Sequence, residues 1–229
     1  MTWIKICGIT NLEDGLAAVE AGADALGFVF YKKSPRYVDA EAARAIATKL
    51  PKNVEKVGVF VDETWDNIQA TVTRAGLTGI QIHASGLRKE DTKPGAKPSS
   101  AKRYMVLRVF DFLDGQGRFD GFAMSINNTK TAPTISAVFL DSGTTRQPGG
   151  TGRTFDWERA GHVAEVIKRA GVPLVVAGGL TPANVTEAIR TLEPWGVDVS
   201  SGVEASPGKK DREKVQAFIA AVRQIEKTA

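Results

Sequence analysis

Three side chains and two backbone turns in this sequence have the types and spacing to do chemistry. Cys7 stands in Lys5-Ile6-Cys7-Gly8-Ile9-Thr10, at the end of a short apolar run, with a glycine behind it that permits a sharp turn. Only a thiolate is basic or nucleophilic, and an unperturbed thiol of pKa about 8.5 is ionised to only a few per cent near neutrality. Chemistry at Cys7 therefore needs a nearby cation or helix N-terminus; the alternative is a small buried hydrophobe. Asp141 follows Val138-Phe139-Leu140, a carboxyl at the rim of an apolar strand. Desolvation there could keep it protonated as a general acid, which from about 3.9 to about 7 is roughly 4 kcal/mol. Otherwise it caps the turn that follows. Arg36, in Lys32-Lys33-Ser34-Pro35-Arg36-Tyr37, is a permanently charged planar donor suited to a carboxylate, or else a solvated loop residue.

The two turns lie late in the chain. The apolar run from Val172 to Val176 ends on Gly178-Gly179, and a second run, Val197 to Val199, ends on Ser200-Ser201-Gly202. Small residues let backbone N–H groups approach an anion closely, so matching turns at two strand ends point to a phosphate. Gly149-Gly150-Thr151-Gly152 could add donors or act as a lid. Two ordinary glycine-rich turns are the plainer reading.

Positioning these groups requires a repeated unit of strand, turn and helix. Strands are expected at Trp3–Cys7, Ala25–Phe30, Lys56–Val61, Gly79–His83, Met105–Phe110, Ala137–Leu140, Val172–Val176 and Val197–Val199. Helices are expected at Leu12–Ala21, stopped by Gly22; at Ala40–Leu50, stopped by Pro51; and at Trp65–Ala75, stopped by Gly76. Others follow in 119–130, from Phe155-Asp156-Trp157 to near Gly171, and at Asp211–Lys227. Thr181 reads as an N-cap and Pro182 as the first position of a helix running to Leu192. Residues 84–101 read as loop with at most one turn, Leu87 to Asp91. Strands buried on both faces alternating with helices predict an α/β fold, a single (β/α)8 TIM barrel spanning residues 1–229. A doubly wound open sheet is disfavoured, because no Gly-x-Gly-x-x-Gly follows the first strand. In such a barrel catalytic groups sit at the C-terminal strand ends, where Cys7, His83, Asp141, Gly178-Gly179 and Ser200-Ser201 all fall, and loops seven and eight form the usual phosphate site.

Composition narrows the function. The 229 residues are 42% hydrophobic and 24% charged, ordinary for a globular protein. The net charge of +4 is mild, and the basic stretch Arg88 to Arg103 has no interleaved aromatics, which argues against nucleic acid. No apolar run approaches the ~18 residues of a membrane span, and nothing reads as a signal peptide, so no membrane partner and a cytoplasmic location are expected. One cysteine excludes an internal disulfide and cysteine-based metal sites, and the two histidines, His83 and His162, lie far apart.

Four segments together resemble the phosphoribosylanthranilate isomerases of tryptophan biosynthesis. They are Lys5 to Thr10; Gly27-Phe28-Val29-Phe30 with Ser34 to Val38; Asp141-Ser142 with Gly149 to Gly152 and Phe155 to Trp157; and Ala177 to Pro182 with Asp198 to Glu204. They occur in the family's order and cover nearly the whole chain. The resemblance implies a barrel working without metal or cofactor, with Cys7 as general base and Asp141 as general acid. It implies Arg36 as the contact of the anthranilate carboxylate, and a phosphate held by backbone around Gly150, Gly178, Gly179, Ser200, Ser201 and Gly202. The implied partner is a small-molecule phosphosugar-anthranilate, met by a monomer or homodimer. The implied reaction is an Amadori rearrangement of an aminoaldose to an aminoketose. Two positions depart from the family pattern. His83 is followed by Ala84 where a glycine is usual, and Lys32 stands where a proline is common. Another phosphosugar barrel enzyme would want a catalytic lysine or metal-binding histidines at strand ends. A non-catalytic phosphosugar-binding barrel would be expected to lack Cys7 or Asp141.

Overall fold

The structure, a computed structural model, describes residues 1–83, 102–108, 135–142 and 154–227. Eight parallel strands close into a barrel, each paired with the next and the last with the first: β1 (Trp3–Cys7), β2 (Ala25–Val29), β3 (Glu55–Val61), β4 (Gly79–His83), β5 (Lys102–Arg108), β6 (Ala137–Asp141), β7 (Leu174–Val176) and β8 (Gly196–Val199). The helices of the described residues are α1 (Leu12–Ala21), α2 (Ala40–Ala47), α3 (Trp65–Ala75), α4 (Trp157–Arg169), α5 (Val185–Leu192) and α6 (Arg212–Glu226). The expected barrel is therefore what the chain forms.

Alternation along each strand explains the near-continuous apolar runs. One set, including Ile4, Ile6, Leu26, Phe28, Phe60, Ile80, Val138 and Leu140, packs outward against helix residues such as Ile46, Ile68, Ile167 and Phe218. The other set points into the barrel. Trp3, Ala25, Val57, Ala137, Phe139 and Val175 fill its lower half, and Cys7, Val29 and Val59 lie nearer the mouth. Trp3 closes the bottom, edge-on to Phe139 with centroids 6.2 Å apart and stacked on Trp195 at 5.2 Å.

Helix starts follow local chemistry. Asn11, Asp39 and Asp156 accept the N–H of Asp14, Ala42 and Arg159 at 2.8, 2.8 and 3.0 Å, satisfying donors the helix leaves open. Several boundaries differ from the sequence expectation: β3 begins at Glu55 rather than Lys56, β6 runs on to Asp141 rather than Leu140, β7 begins at Leu174 rather than Val172, β8 at Gly196 rather than Val197, and α6 is one residue shorter at each end. Helix α2 ends at Ala47 rather than Leu50, because Lys49 and Leu50 bond back three residues in a tight final turn. Strand β2 ends at Val29, one residue early. Strand β5 begins at Lys102 rather than Met105, since Lys102 already pairs with Gly79 of β4. Regular α5 begins at Val185, not Pro182. The Thr181 carbonyl nevertheless accepts from Val185 at 3.1 Å, Asn184 Oδ1 accepts the Thr181 N–H at 2.7 Å, and no side-chain bond caps the first helical N–H groups of α5. An unexpected two-stranded hairpin, β9 (Glu204–Ser206) and β10 (Lys209–Lys210), follows β8. The expected loop at 84–101 with its turn at 87–91, the helix in 119–130 and the Gly149–Gly152 loop lie outside the described residues.

Helix α6 closes the ring through Phe218, fully buried between helix and barrel. Phe218→Ala should destabilise by about 3–5 kcal/mol through lost transfer energy and a residual cavity. Urea unfolding should show the midpoint falling with an unchanged slope.

Candidate active site

The C-terminal ends of the strands gather the sequence-identified side chains at one face. Cys7 ends β1 and Asp141 ends β6, each 7% exposed and each at an inward position of its strand. Between β1 and β6 in the barrel stand β8 and β7, whose loops carry the glycines and serines.

Those two loops touch. A Cβ built on Gly202 would lie 1.8 Å from the Leu180 carbonyl oxygen, so only glycine allows the β8 loop to rest on the β7 loop. Gly178 and Gly179 have φ of +77° and +67°, which side-chain-bearing residues rarely adopt. The Gly179 carbonyl is held by Asn184 Nδ2 at 3.1 Å. None of the backbone N–H groups of Gly178, Gly179, Ser201 and Gly202 donates to another described residue. Four such donors in abutting turns have the chemistry to receive an anion. Ser200 has another task, donating its hydroxyl to the Cys7 carbonyl at 3.1 Å. Gly150 lies outside the described residues.

Beneath Cys7 is a buried charge that the sequence reading did not single out. Lys5, two residues earlier on the same face of β1, is completely buried and ion-paired with Asp198 of β8 at 2.9 Å. The two are direct register partners, and the ammonium lies 5.6 Å from the centre of the Phe139 ring. Burial lowers the affinity of Lys5 for its proton, but Asp198 and Cys7 outweigh it and hold the ammonium charged above its ordinary range. Burial pushes the Cys7 thiol up, and Lys5 and Lys210 only partly offset it.

Arg36 is not a solvated loop residue. Its stem crosses Gly8, where a Cβ would lie 2.6 Å from Arg36 Cδ, and Gly8 itself turns the chain at φ +80°. Its Nε and Nη2 donate to the two carboxylate oxygens of Glu204 at 2.8 and 2.7 Å. Nη1 has no hydrogen-bond partner among the described residues. Glu204 also accepts from Lys210 Nζ at 2.9 Å and from the Gly208 N–H at 3.3 Å. Burial pushes the Glu204 carboxyl up, but Arg36 and Lys210 win and hold it below the usual carboxylate range. Around the mouth on β4, His83 lies 3.3 Å from Gln81, ring nitrogen to amide nitrogen.

Comparison with known proteins agrees with this geometry. The family model for N-(5'-phosphoribosyl)anthranilate isomerase matches residues 4–221. The chain belongs to this isomerase family. An N-(5'-phosphoribosyl)anthranilate isomerase of Geobacter sp. (strain M21) is 43% identical over 225 residues, covering 98% of this chain and 100% of the relative. The crystal structure of the Thermotoga maritima phosphoribosyl anthranilate isomerase is 37% identical with a TM-score of 0.76, covering 98% of this chain and 100% of that one. A phosphoribosyl anthranilate isomerase solved with reduced 1-(o-carboxyphenylamino)-1-deoxyribulose 5-phosphate is 36% identical with a TM-score of 0.74 over the same shares. The chain is thus an isomerase of tryptophan biosynthesis on a TIM barrel, and no helix among its described residues is long and apolar enough to cross a membrane.

In this isomerase, Glu204 joins the loop after β2 to the hairpin after β8. Its pKa is lower in the folded than in the unfolded state, so its stabilisation is complete above the ordinary carboxylate value and is lost as pH falls through the depressed one. Glu204→Gln should therefore unfold at lower urea than wild type at pH 7, with the gap narrowing in acid. A gap that does not change with pH would mean that the carboxylate charge is not what holds Arg36.

Proposed function

We propose that this chain converts N-(5-phosphoribosyl)anthranilate to 1-(2-carboxyphenylamino)-1-deoxyribulose 5-phosphate, with Asp141 as general acid and Cys7 as general base. The observation that carries this reading is the order of strands at the mouth. The cradle of four N–H groups belongs to β7 and β8, and the acid and base flank it from β6 and β1. A sugar held there by its phosphate extends between the two proton-transfer groups.

The steps balance within the substrate. Asp141 gives its proton to the ring oxygen as the C1–O bond breaks, and the anthranilate nitrogen lone pair forms the C1=N bond of a Schiff base. Cys7, as thiolate, takes the proton from C2, giving an enolamine. Reprotonation at C1 and loss of the C2 hydroxyl proton leave the ketone. Hydrogen moves and nothing is oxidised in sum, so the reaction needs no cofactor. Arg36, aligned by Glu204 through two nitrogens, offers its remaining N–H groups to the anthranilate carboxylate. Gly150 adds to the phosphate grip, together with Gly178, Gly179, Ser200, Ser201 and Gly202. The chain acts as one domain in the cytoplasm, as a monomer or homodimer.

Purified protein offered the aminoaldose phosphate should yield the aminoketose, and a folded protein giving none would overturn the assignment. Cys7→Ser and Asp141→Asn should each lower kcat by at least ~10²-fold with little change in KM, as expected for loss of a general base or acid. Because burial raises the Cys7 thiol, wild-type kcat should still be climbing as the pH enters the alkaline range. Arg36→Ala should weaken kcat/KM by roughly ten- to a hundred-fold, the loss of one charge-assisted contact. An unchanged kcat/KM would leave Arg36 as a structural partner of Glu204 alone.

A further inference from the structure

We propose that Lys5 is a positioning residue for the Cys7 thiolate: the ammonium pinned by Asp198 across the β1–β8 seam is the charge that lets this thiol ionise. The inference rests on reading Cys7 as the base. It starts from Gly27 on the neighbouring strand β2. A Cβ on Gly27 would lie 2.7 Å from Cys7 Sγ and 3.0 Å from Lys5 Nζ, so both atoms press on the space left by one absent side chain. The ammonium and the sulfur are therefore neighbours inside the barrel.

A lysine needed only to fasten the seam would contact Asp198 alone, and any apolar pair could do that task in a buried barrel. Lys5 contacts both. Asp198 takes one side of the ammonium at 2.9 Å, and the sulfur lies on another, supplying the cation that a thiol in an apolar setting lacks. Val29 and Val59, packed on Cys7, carry no charge. The other charged groups around it are Asp198 on β8, Lys210 on the hairpin and Arg36 on the loop after β2, and the titratable Asp141, the acid of the proposed reaction, stands across the mouth on β6. Lys210 and Arg36 are shared with Glu204, whereas Lys5 is the cation on the thiol's own strand face. The proton leaves the thiol to solvent, Lys5 stays an ammonium throughout, and the thiolate then takes the C2 proton.

The chain has one cysteine, so thiolate ultraviolet absorbance, with Cys7→Ser as blank, titrates this group alone. Lys5→Met should move that titration upward by at least about one pH unit, which is tenfold less thiolate near neutrality. The acid limb of kcat should move by the same amount while KM stays within about twofold. Lys5→Met leaves Asp198 buried without its partner, so the double variant Lys5→Met/Asp198→Asn removes both charges and keeps the fold. Its titration should also move upward, by less than in the single variant, because the carboxylate that opposes ionisation is gone. A folded double variant that titrates like wild type would overturn the proposal and leave Lys5 as a fastener. Near-normal kcat in Cys7→Ser would instead remove Cys7 as base, and the titration would still report whether Lys5 sets its ionisation.

Discussion

Lys5 and Asp198 face each other in register where the first and last strands of the barrel meet, 193 residues apart in the chain. Both are withdrawn from water, and neither can be left alone there. Removing one partner of such a pair costs about 3–5 kcal/mol, because the remaining charge is buried without compensation. The pair therefore acts on the register of closure more than on stability as such. A slip of one residue between β1 and β8 would turn one charge outward into the layer where Ile4, Ile6, Val197 and Val199 pack on helices. Hydrophobic burial alone would tolerate that slip far better than an ion pair does. The geometry of the mouth, with Cys7 two residues beyond Lys5 on the same face of β1 and Ser200 bonded to the Cys7 carbonyl, depends on this register.

A second polar hub sits in the loops above the strand ends. Glu204 collects Arg36, Lys210 and the Gly208 N–H, and Lys210 Nζ also reaches the Ser200 carbonyl at 3.2 Å. One carboxylate thus connects the loop after β2, the turn after β8 and the hairpin that leads to α6. Loops placed this way lose little further freedom when a ligand arrives, which is how a site made of loops attains the precision of one made of strands. The two hubs differ in purpose. Lys5–Asp198 lies beneath Cys7 inside the barrel, and Glu204 fixes Arg36 and Lys210 on the loops around the mouth.

Legibility in the sequence followed the range of the interactions. Strand β1, helices α1 and α3 and strand β4 were readable to the residue, because apolar runs and terminal glycines are local signals. So was the strand end that carries Cys7, whereas the expected β6 stopped at Leu140, one residue short of Asp141. The start of α5 was displaced because residues 182–184 form a turn closed on the Thr181 carbonyl, with Asn184 Oδ1 taking the Thr181 N–H, before regular helix begins at Val185. The hairpin of Glu204–Ser206 and Lys209–Lys210 was missed, being too short for any period to show. Arg36 was singled out, but its partner was not, since Glu204 lies 168 residues away. Lys5 and Asp198 did leave a trace. Each is a lone charge inside an apolar strand, and closure of a barrel makes the first and last strands neighbours. Combining those two facts would have paired them before any coordinates.

The glycines around the mouth show how closely its chemistry depends on empty space. Gly178 and Gly179 are needed for their backbone conformation, at φ +77° and +67°, and a Cβ on Gly178 would also lie 2.5 Å from Ser142. Gly27 is not: it sits in an ordinary strand conformation, and any Cβ there would meet Cys7 Sγ and Lys5 Nζ. The lower barrel is filled by Trp3 and Phe139, so a displaced sulfur or ammonium could not move downward. It would have to move up, toward the mouth, or apart, separating the Cys7 sulfur from the Lys5 ammonium. A single methyl at position 27 would therefore change the electrostatics of Cys7 without touching a charged residue. Packing and proton affinity are, at this point in the fold, the same constraint.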